Sequence, residues 1–351
     1  MKEEPIDNDQ SSDDLQDFQV IVVDPKQAPV RIDKFLMDRL NNVSRNRIQI
    51  GLRAGAIRVD GQEVKPNFKI KPGQQISMIV PRAVSEPYRI FPQNIPLDII
   101  YEDDNLLVIN KPAGMVVHPG IGHFKGTLVN ALIYHFRNLP VMEGNYEDRV
   151  GLVHRIDKNT SGLMVIAKSE YAMTHLAKQF FYHTIERTYL ALIWGEPKDD
   201  EGTIVGNVGR NPRFRHLFTV FPDGDEGKWA VTHFKVLERM YYVSLVQCNL
   251  ETGRTHQIRV HMQYIGHPLF SDDRYGGDRI VRGTVFSRYK DFVEKVFTAL
   301  PRQALHAKSL GFEHPVTGQW MQFECEPPAD FQQGLDMWRA YVDERKSAKF
   351  K

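Results

Sequence analysis

Four apolar, β-branched runs restrict the fold of this chain more than any other feature: NLLVINKP (105–112), SGLMVIAKS (161–169), RTYLALIWG (187–195) and YYVSLVQCNLETG (241–253). Each is short, rich in Val, Ile, Leu and Tyr, and set off by turn residues, which is the signature of a strand. Between and after them the periodicity changes. Met173, Leu176, Ala177 and Phe180 recur at helical spacing and predict a helix over 170–183, a second is predicted over THQIRVHMQYIG (255–266), and a third within 285–300. Strands mixed with helices, with no repeat of 20 to 50 residues, point to an α+β domain and away from solenoids and propellers.

The first eighty residues follow a different plan. Ile32, Phe35, Leu36 and Leu40 lie on one helical face; Ser44 is placed to open a second helix carrying Ile48 and Leu52, and Gly55 to close it. In AIRVDGQEVK (56–65), Asp60 and Gly61 form a two-residue turn signal between short β-like runs. Two helices and a hairpin make a small unit over 30–80. Pro81, Pro87, Pro92 and Pro96 then mark a stiff linker over 81–96. The larger domain is expected over 97–335, with a charged helix or tail over 336–351. The first eighteen residues have almost no apolar content and are expected to be a disordered acidic tail.

A net charge of +1 argues poorly for a nucleic-acid binder until it is divided along the chain. Residues 1–18 hold seven acids against Lys2, which leaves +7 on the remainder. Residues 31–72 alone hold ten basic and four acidic side chains, a density suited to phosphate contacts on a helix pair and hairpin. Cys248 and Cys325 are the chain's two cysteines, so neither a disulfide framework nor a multi-cysteine zinc site is expected. No apolar run reaches the length of a membrane span, and the N-terminus lacks the basic start and apolar stretch of a secretory signal. A cytoplasmic protein is expected.

Three segments combine charged groups with glycine and apolar residues: NKPAGMVVHPG (110–120), GLVHRIDKNTSGL (151–163) and LETGRTHQIRVH (250–261). In order, spacing and wording they resemble the catalytic domain of the RluA-type pseudouridine synthases, over roughly residues 90–330. RIDKFLMDRLNNVSRNRIQIGLRAGAIRVDGQEVKPNFKIKPGQQI (31–76) resembles the S4 RNA-binding domain. The resemblance implies a mixed, mostly antiparallel sheet split by a cleft, and isomerisation of uridine to pseudouridine in RNA without cofactor or metal. Asp157 then matches the family's essential aspartate and Arg259 its guanidinium partner. Tyr189 matches the tyrosine that stacks on the target base and moves a proton, Ile258 packs on the other side of the uracil, and Arg155 fills the space of the flipped nucleotide. Arg31, Lys34, Arg45, Arg47, Arg53 and Arg254 are expected to bind RNA. The implied partner is large-subunit ribosomal RNA or a pre-ribosomal particle, met by a monomer away from any membrane.

The chemistry fits those residue types. Cleaving a glycosidic bond, holding the base and rejoining it through C5 calls for a carboxylate near the sugar, and an adjacent guanidinium keeps that carboxylate ionised. Other classes fit less well. HRID resembles a kinase HRD, but no glycine-rich loop or DFG accompanies it. His256 and His261 are off the i, i+4 spacing of a metal pair. A hydrolytic glycosidase calls for two carboxylates about 5–9.5 Å apart, and the motifs offer one. The remaining rival is a catalytically silent ribosome-assembly factor on the same fold. Arg210, Arg213 and Arg215 suit an RNA-contacting loop or an ordinary solvated one, and 278–302 suits a recognition insert or packing.

Overall fold

The computed structural model describes residues 16–40, 43–81, 90–120, 123–136 and 151–349. In the N-terminal domain β1 (Gln16–Val22) and β2 (Val30–Arg31) precede α1 (Ile32–Met37) and α2 (Arg45–Arg53). The strands β3 (Ile57–Val59), β4 (Gln62–Glu63), β5 (Lys69–Ile70) and β6 (Gln75–Pro81) complete it. Ser44 caps α2 by accepting from the Arg47 N–H, and Gly55 leaves the helix with φ of 67°. Asp60 and Gly61 both have positive φ, as a two-residue hairpin turn demands. Ile32, Phe35, Leu36, Ile48, Leu52, Ile70 and Ile76 close this domain's core.

The acidic tail was expected to run to residue 18. Residues 1–15 lie outside the described ones, but Gln16–Phe18 begin β1, whose register with β6 runs from Gln16↔Pro81 to Val22↔Gln75. The partner strand is some sixty residues away, so local composition could not announce the pairing. Linker residues 82–89 also lie outside the described residues. The end of the expected linker is no free tether: Ile90 is buried in the larger domain's core, and Asn130 Nδ2 donates to the Phe91 carbonyl at 2.8 Å.

The larger domain begins with β7 (Ile99–Glu102), β8 (Leu106–Lys111), α3 (Leu128–His135), β9 (Ser161–Ala167), α4 (Glu170–Phe181) and β10 (Glu186–Trp194). It continues through β11 (Glu201–Val205), β12 (Asn207–Arg210), β13 (Phe218–Phe221), β14 (Val231–Arg239), β15 (Val243–Leu250) and α5 (Gln257–Tyr264). It closes with α6 (Ser287–Ala299), β16 (Leu305–Glu313), β17 (Trp320–Glu324) and α7 (Ala329–Lys349). Nine strands form one sheet in the order β11-β14-β15-β10-β16-β9-β8-β7, with β17 also on β16. Its pairs are antiparallel except β16–β9, which meet over two residues. There the sheet opens, because β16 continues along β17 instead. Gly162 sits at this junction with φ of 114°, where a Cβ would lie 2.2 Å from the Ala307 carbonyl oxygen.

The apolar runs are unbroken because their strands are buried on both faces. In β8, Leu107 and Ile109 face the cluster shared with α3 and α5, while Leu106 and Val108 face that of α4. In β10, Tyr189, Ala191 and Ile193 share the first cluster, and Leu192 and Trp194 pack on α6 and α7. That last cluster corrects the expected boundary at 335. α7 is continuous, and Trp338 and Val342 are buried against Tyr289, Val293 and Val296 of α6, so the helix completes the domain. Within 278–302, Tyr289, Val293, Val296 and Leu300 pack, whereas Val285 and Phe286 ahead of α6 are exposed. The two domains meet at α4: Phe18 stacks on Phe181 at 5.3 Å, Gln16 Nε2 donates to the Val153 carbonyl, and Arg47 pairs with Glu170 at 3.3 Å.

Candidate active site

The second motif forms the loop entering β9. Asp157 accepts the Thr160 N–H through its carbonyl, making a tight turn at the sheet junction. Two buried cations hold this turn from behind. Lys111, fully buried at the end of β8, donates to the carbonyls of Pro112, Met115 and Lys158 at 2.8, 2.9 and 3.1 Å. Gly114 N–H also reaches the Lys158 carbonyl. Arg302, forked on Asp330, donates to the Asn159 carbonyl at 2.9 Å. The first motif thus acts as the bracket of the second. Burial pushes Lys111 down to about 7, with Arg302 adding to the effect and Asp157 opposing it. His154 is internal scaffolding: its Nε2 accepts the Val165 N–H, and burial pushes it down to about 3.

The third motif supplies the counter-ion. Arg259, in the first turn of α5, donates from Nη1 to Asp157 Oδ2 at 3.1 Å, and from Nε and Nη2 to Asp272 at 2.7 and 2.8 Å. Asp272 is fully buried and also accepts the Arg274 and Tyr275 N–H groups. Its fork fixes the guanidinium plane so that one edge remains for Asp157. Burial alone would lower the Arg259 pKa, but Asp272 and Asp157 raise it, so the guanidinium stays charged. For Asp157 burial works upward and is overcome by His256, Arg259 and Arg155, leaving the carboxyl below its ordinary range. His256 is itself pushed down to about 4 by burial, so at neutral pH the lasting positive charges are the two arginines.

His256 precedes α5 with φ of 56°, a left-handed conformation costing roughly 1–2 kcal/mol in a residue with a Cβ. Gln257 holds it there: its side chain accepts from the Arg254 N–H and Thr252 Oγ1 and donates to the Val231 carbonyl and Thr232 Oγ1. His256 Nδ1 lies 2.7 Å from the Tyr275 hydroxyl and Nε2 3.9 Å from Asp157 Oδ1. The Nε2–H tautomer fits this geometry: the Nε2 proton points toward Asp157, Nδ1 accepts the Tyr275 hydroxyl proton, and Tyr275 Oη accepts the Phe218 N–H.

Asp157, Arg259, Tyr189, Ile258, Arg155 and Arg254 all line one pocket. Tyr189 is buried and its phenol pKa is raised, by burial first, with Arg187 opposing and Asp157 adding, so it is neutral at pH 7. Arg254 Nε donates to the carbonyl of Trp229, an exposed residue. The expected RNA-binding set of the N-terminal domain divides. Lys34 and Arg53 are exposed. Arg31 and Arg45 both pair at 2.9 Å with the buried Asp33, and Arg47 turns toward Glu170 on α4 instead of solvent because α2 packs there. The charge count included Asp33 but not which arginines it would engage, and Glu170 lies outside the counted segment. Arg210 donates to the Arg215 carbonyl across the β12–β13 turn, where Arg213 and Arg215 are exposed. Sequence reasoning missed Asp272, Tyr275, Arg302 and Arg187. It quoted Lys111 within a motif without giving it a role, and weighed His256 only as a metal ligand.

A family model described as RNA pseudouridylate synthase matches residues 105–264, and one described as S4 domain matches residues 30–76. An uncharacterized RNA pseudouridine synthase of Chlorobaculum parvum is 40% identical over 322 residues, covering 92% of this chain and 98% of that protein. Ribosomal large subunit pseudouridine synthase D of Zymomonas mobilis is 41% identical over 304 residues, covering 86% and 92%. Among solved structures, human RNA Pseudouridylate Synthase Domain Containing 4 matches with a TM-score of 0.52 at 24% identity, over 69% of this chain and 92% of that one, which is a likeness of fold.

Proposed function

This chain belongs to the RNA pseudouridine synthase family, and from that premise we propose how its site isomerises uridine and in which RNA. The observation that carries the reading is the Asp157–Arg259–Asp272 array: an ionised carboxylate at the floor of a pocket, its partner fixed from behind by a second acid. The reaction breaks N1–C1′, turns the base and forms C5–C1′; N1 gains a proton and C5 loses one. Asp157 stabilises or traps the positive character that develops at C1′ as N1 departs. Tyr189 and Ile258 flank the uracil, and the neutral Tyr189 phenol serves as platform and proton carrier at C5. Arg155 takes the space left by the flipped nucleotide, offsetting an unstacking cost of a few kcal/mol.

The substrate we propose is large-subunit ribosomal RNA, free or in a pre-ribosomal particle, met in the cytoplasm by a monomer. The name of the Zymomonas mobilis relative supports that RNA. Arg31, Lys34, Arg45, Arg53 and Arg254 contribute phosphate contacts, the first and third with only part of their guanidinium free of Asp33. A silent assembly factor would have no use for a carboxylate aimed at polyanionic RNA in a pocket walled by arginines. The test is tritium release from ribosomal RNA labelled at uridine C5, for the natural chain and Asp157→Ala, followed by mapping of the modified positions. Release by the natural chain alone is expected, with RNA affinity of the variant within about tenfold. Release by both proteins would remove Asp157 from the chemistry.

A further inference from the structure

His256 lines the pocket, yet the reaction as drawn gives it no task. Its side chain is 12% exposed, and the ring is fixed edge-on between Phe218 at 5.5 Å and Tyr275 at 5.6 Å. The left-handed backbone at this residue is strained, and the hydrogen bonds of Gln257 maintain it. Nδ1 is occupied by the Tyr275 hydroxyl at 2.7 Å; that hydroxyl accepts the Phe218 N–H and has no other acceptor for its proton among the described residues. The imidazole hydrogen therefore sits on Nε2. There it meets no acceptor among the described residues, because Asp157 Oδ1 at 3.9 Å is beyond hydrogen-bond range. Arg259 takes the other carboxylate oxygen, Oδ2. One open oxygen of Asp157 and one unmet N–H thus face the same gap.

We propose that His256 is a catalytic residue whose Nε2–H donates to the uracil carbonyl oxygen beside the reacting bond, O2 as N1 leaves C1′ and O4 as C5 joins it. This rests on the isomerase reading, which brings C1′ to Asp157. When N1–C1′ breaks, its electron pair goes to the base, and the negative charge spreads over N1, O2 and O4. O2 stands one carbon from N1 and so arrives beside whatever atom Asp157 serves, while O4 lies across the ring. Half a turn of the base about its N3–C6 axis exchanges N1 with C5 and O2 with O4, so one fixed donor meets an oxygen in both halves of the reaction. A donor preset where charge develops lowers the barrier without reorganising. Burial keeps the imidazole neutral at pH 7. A neutral imidazole polarises a carbonyl without surrendering its proton. No proton leaves His256, and the base stays an anion able to turn and react through C5.

The experiment measures tritium release from ribosomal RNA labelled at uridine C5, together with thermal unfolding, for the natural full chain, His256→Asn and His256→Gln. An asparagine amide stands near the place of Nδ1 and can still accept the Tyr275 hydroxyl, but nothing of it reaches Nε2; a glutamine amide reaches Nε2. His256→Asn is expected to lose about a hundredfold in kcat with KM little changed, and to unfold no earlier, since asparagine tolerates the left-handed backbone. His256→Gln should recover most of that loss. The same assay then uses a mapped stem-loop with 2-thiouridine at the target, because sulfur accepts hydrogen bonds poorly. The oxygen-to-sulfur rate ratio should be larger for the natural protein than for His256→Asn; the altered leaving ability of the thio base is common to both and cancels. An asparagine variant as active as the natural protein, or one with the natural oxygen-to-sulfur ratio, overturns the proposal. Both variants inactive and unfolding earlier would make His256 a structural residue and overturn it too. If the natural chain itself releases no tritium, the isomerase reading fails and the proposal with it, whereas natural turnover beside an undiminished His256→Asn sinks the proposal alone.

Discussion

Replacing Asp272 by asparagine tests whether the catalytic carboxylate is positioned through a relay of buried charge. The change is isosteric and keeps one acceptor oxygen for the Arg274 and Tyr275 N–H groups, but it removes the negative charge and one half of the fork that holds Arg259. Orphaning one partner of a buried pair costs about 3–5 kcal/mol. The lower end applies here, because Asp157 still faces the guanidinium at 3.1 Å. About 3 kcal/mol lowers the melting temperature of a domain of this size by roughly 6–12 °C. The chemical step should suffer more than the fold. Freed from Asp272, Arg259 can turn both edges onto Asp157 and draw the carboxylate away from the sugar; misplacement of that order costs about a hundredfold in kcat. KM for RNA should move little, since neither residue is placed to meet a phosphate. Thermal unfolding and single-turnover tritium release check both parts. A variant that melts with the natural chain and turns over at the natural rate would refute the relay.

The charge balance around Asp157 gives a pH test. Its lowered pKa means that the acid limb of kcat/KM lies below the ordinary carboxylate value of 3.8, and that the carboxylate's contribution to stability is full at neutral pH and lost only as pH falls through the folded value. Changing Arg259→Met and Asp272→Leu together removes the partner without orphaning an acid; burial then acts with less opposition, and the acid limb should move upward in a pH–rate profile, a shift whose absence would contradict the assigned cause. Tyr275→Phe removes the proton donor to His256 Nδ1, so nitrogen NMR should change from a single Nε2–H tautomer to a mixture, with kcat reduced by up to about tenfold. In the N-terminal domain, Lys34→Gln with Arg53→Gln should lower the salt slope of RNA binding by about 0.7–0.9 per lost contact at unchanged melting temperature. Arg45→Gln should instead destabilise that domain, because it removes a partner of the buried Asp33.

What could be read from the sequence was what local spacing determines. The α4 face, the Ser44 cap, the Asp60–Gly61 turn and the doubly buried β8 and β10 all follow from residues within a few positions of one another. What depends on distant pairing was hidden. β1 exists because β6 lies beside it, and α7 belongs to the domain because Trp338 finds Phe270 and Tyr289. Asp157 was legible through its motif, whereas Asp272 sits in FSDDRYGG, which has the composition of a polar turn. It reaches the site because the bridge between Ile193 and Leu269 pulls that segment onto β10. Arg187 is the instructive case. Strand periodicity puts it on the same face as Tyr189, two residues on, so the choice of Tyr189 as a pocket residue already implied an arginine in the same wall.

The sign of the cleft comes from placement, not composition. The chain as a whole carries +1, and the basic N-terminal domain spends Arg31 and Arg45 on Asp33 and Arg47 on Glu170. In the pocket the arithmetic reverses: Arg155, Arg187, Arg254 and Arg259 line it with Asp157 as the acid among them. Asp272 neutralises one member of the set, Arg259, from behind, while Asp330 is committed to Arg302 behind the catalytic turn. A pocket lined by several guanidiniums suits a polyanion. It also keeps its one carboxylate ionised, so the field that gathers RNA is the same field that prepares Asp157 to act on it.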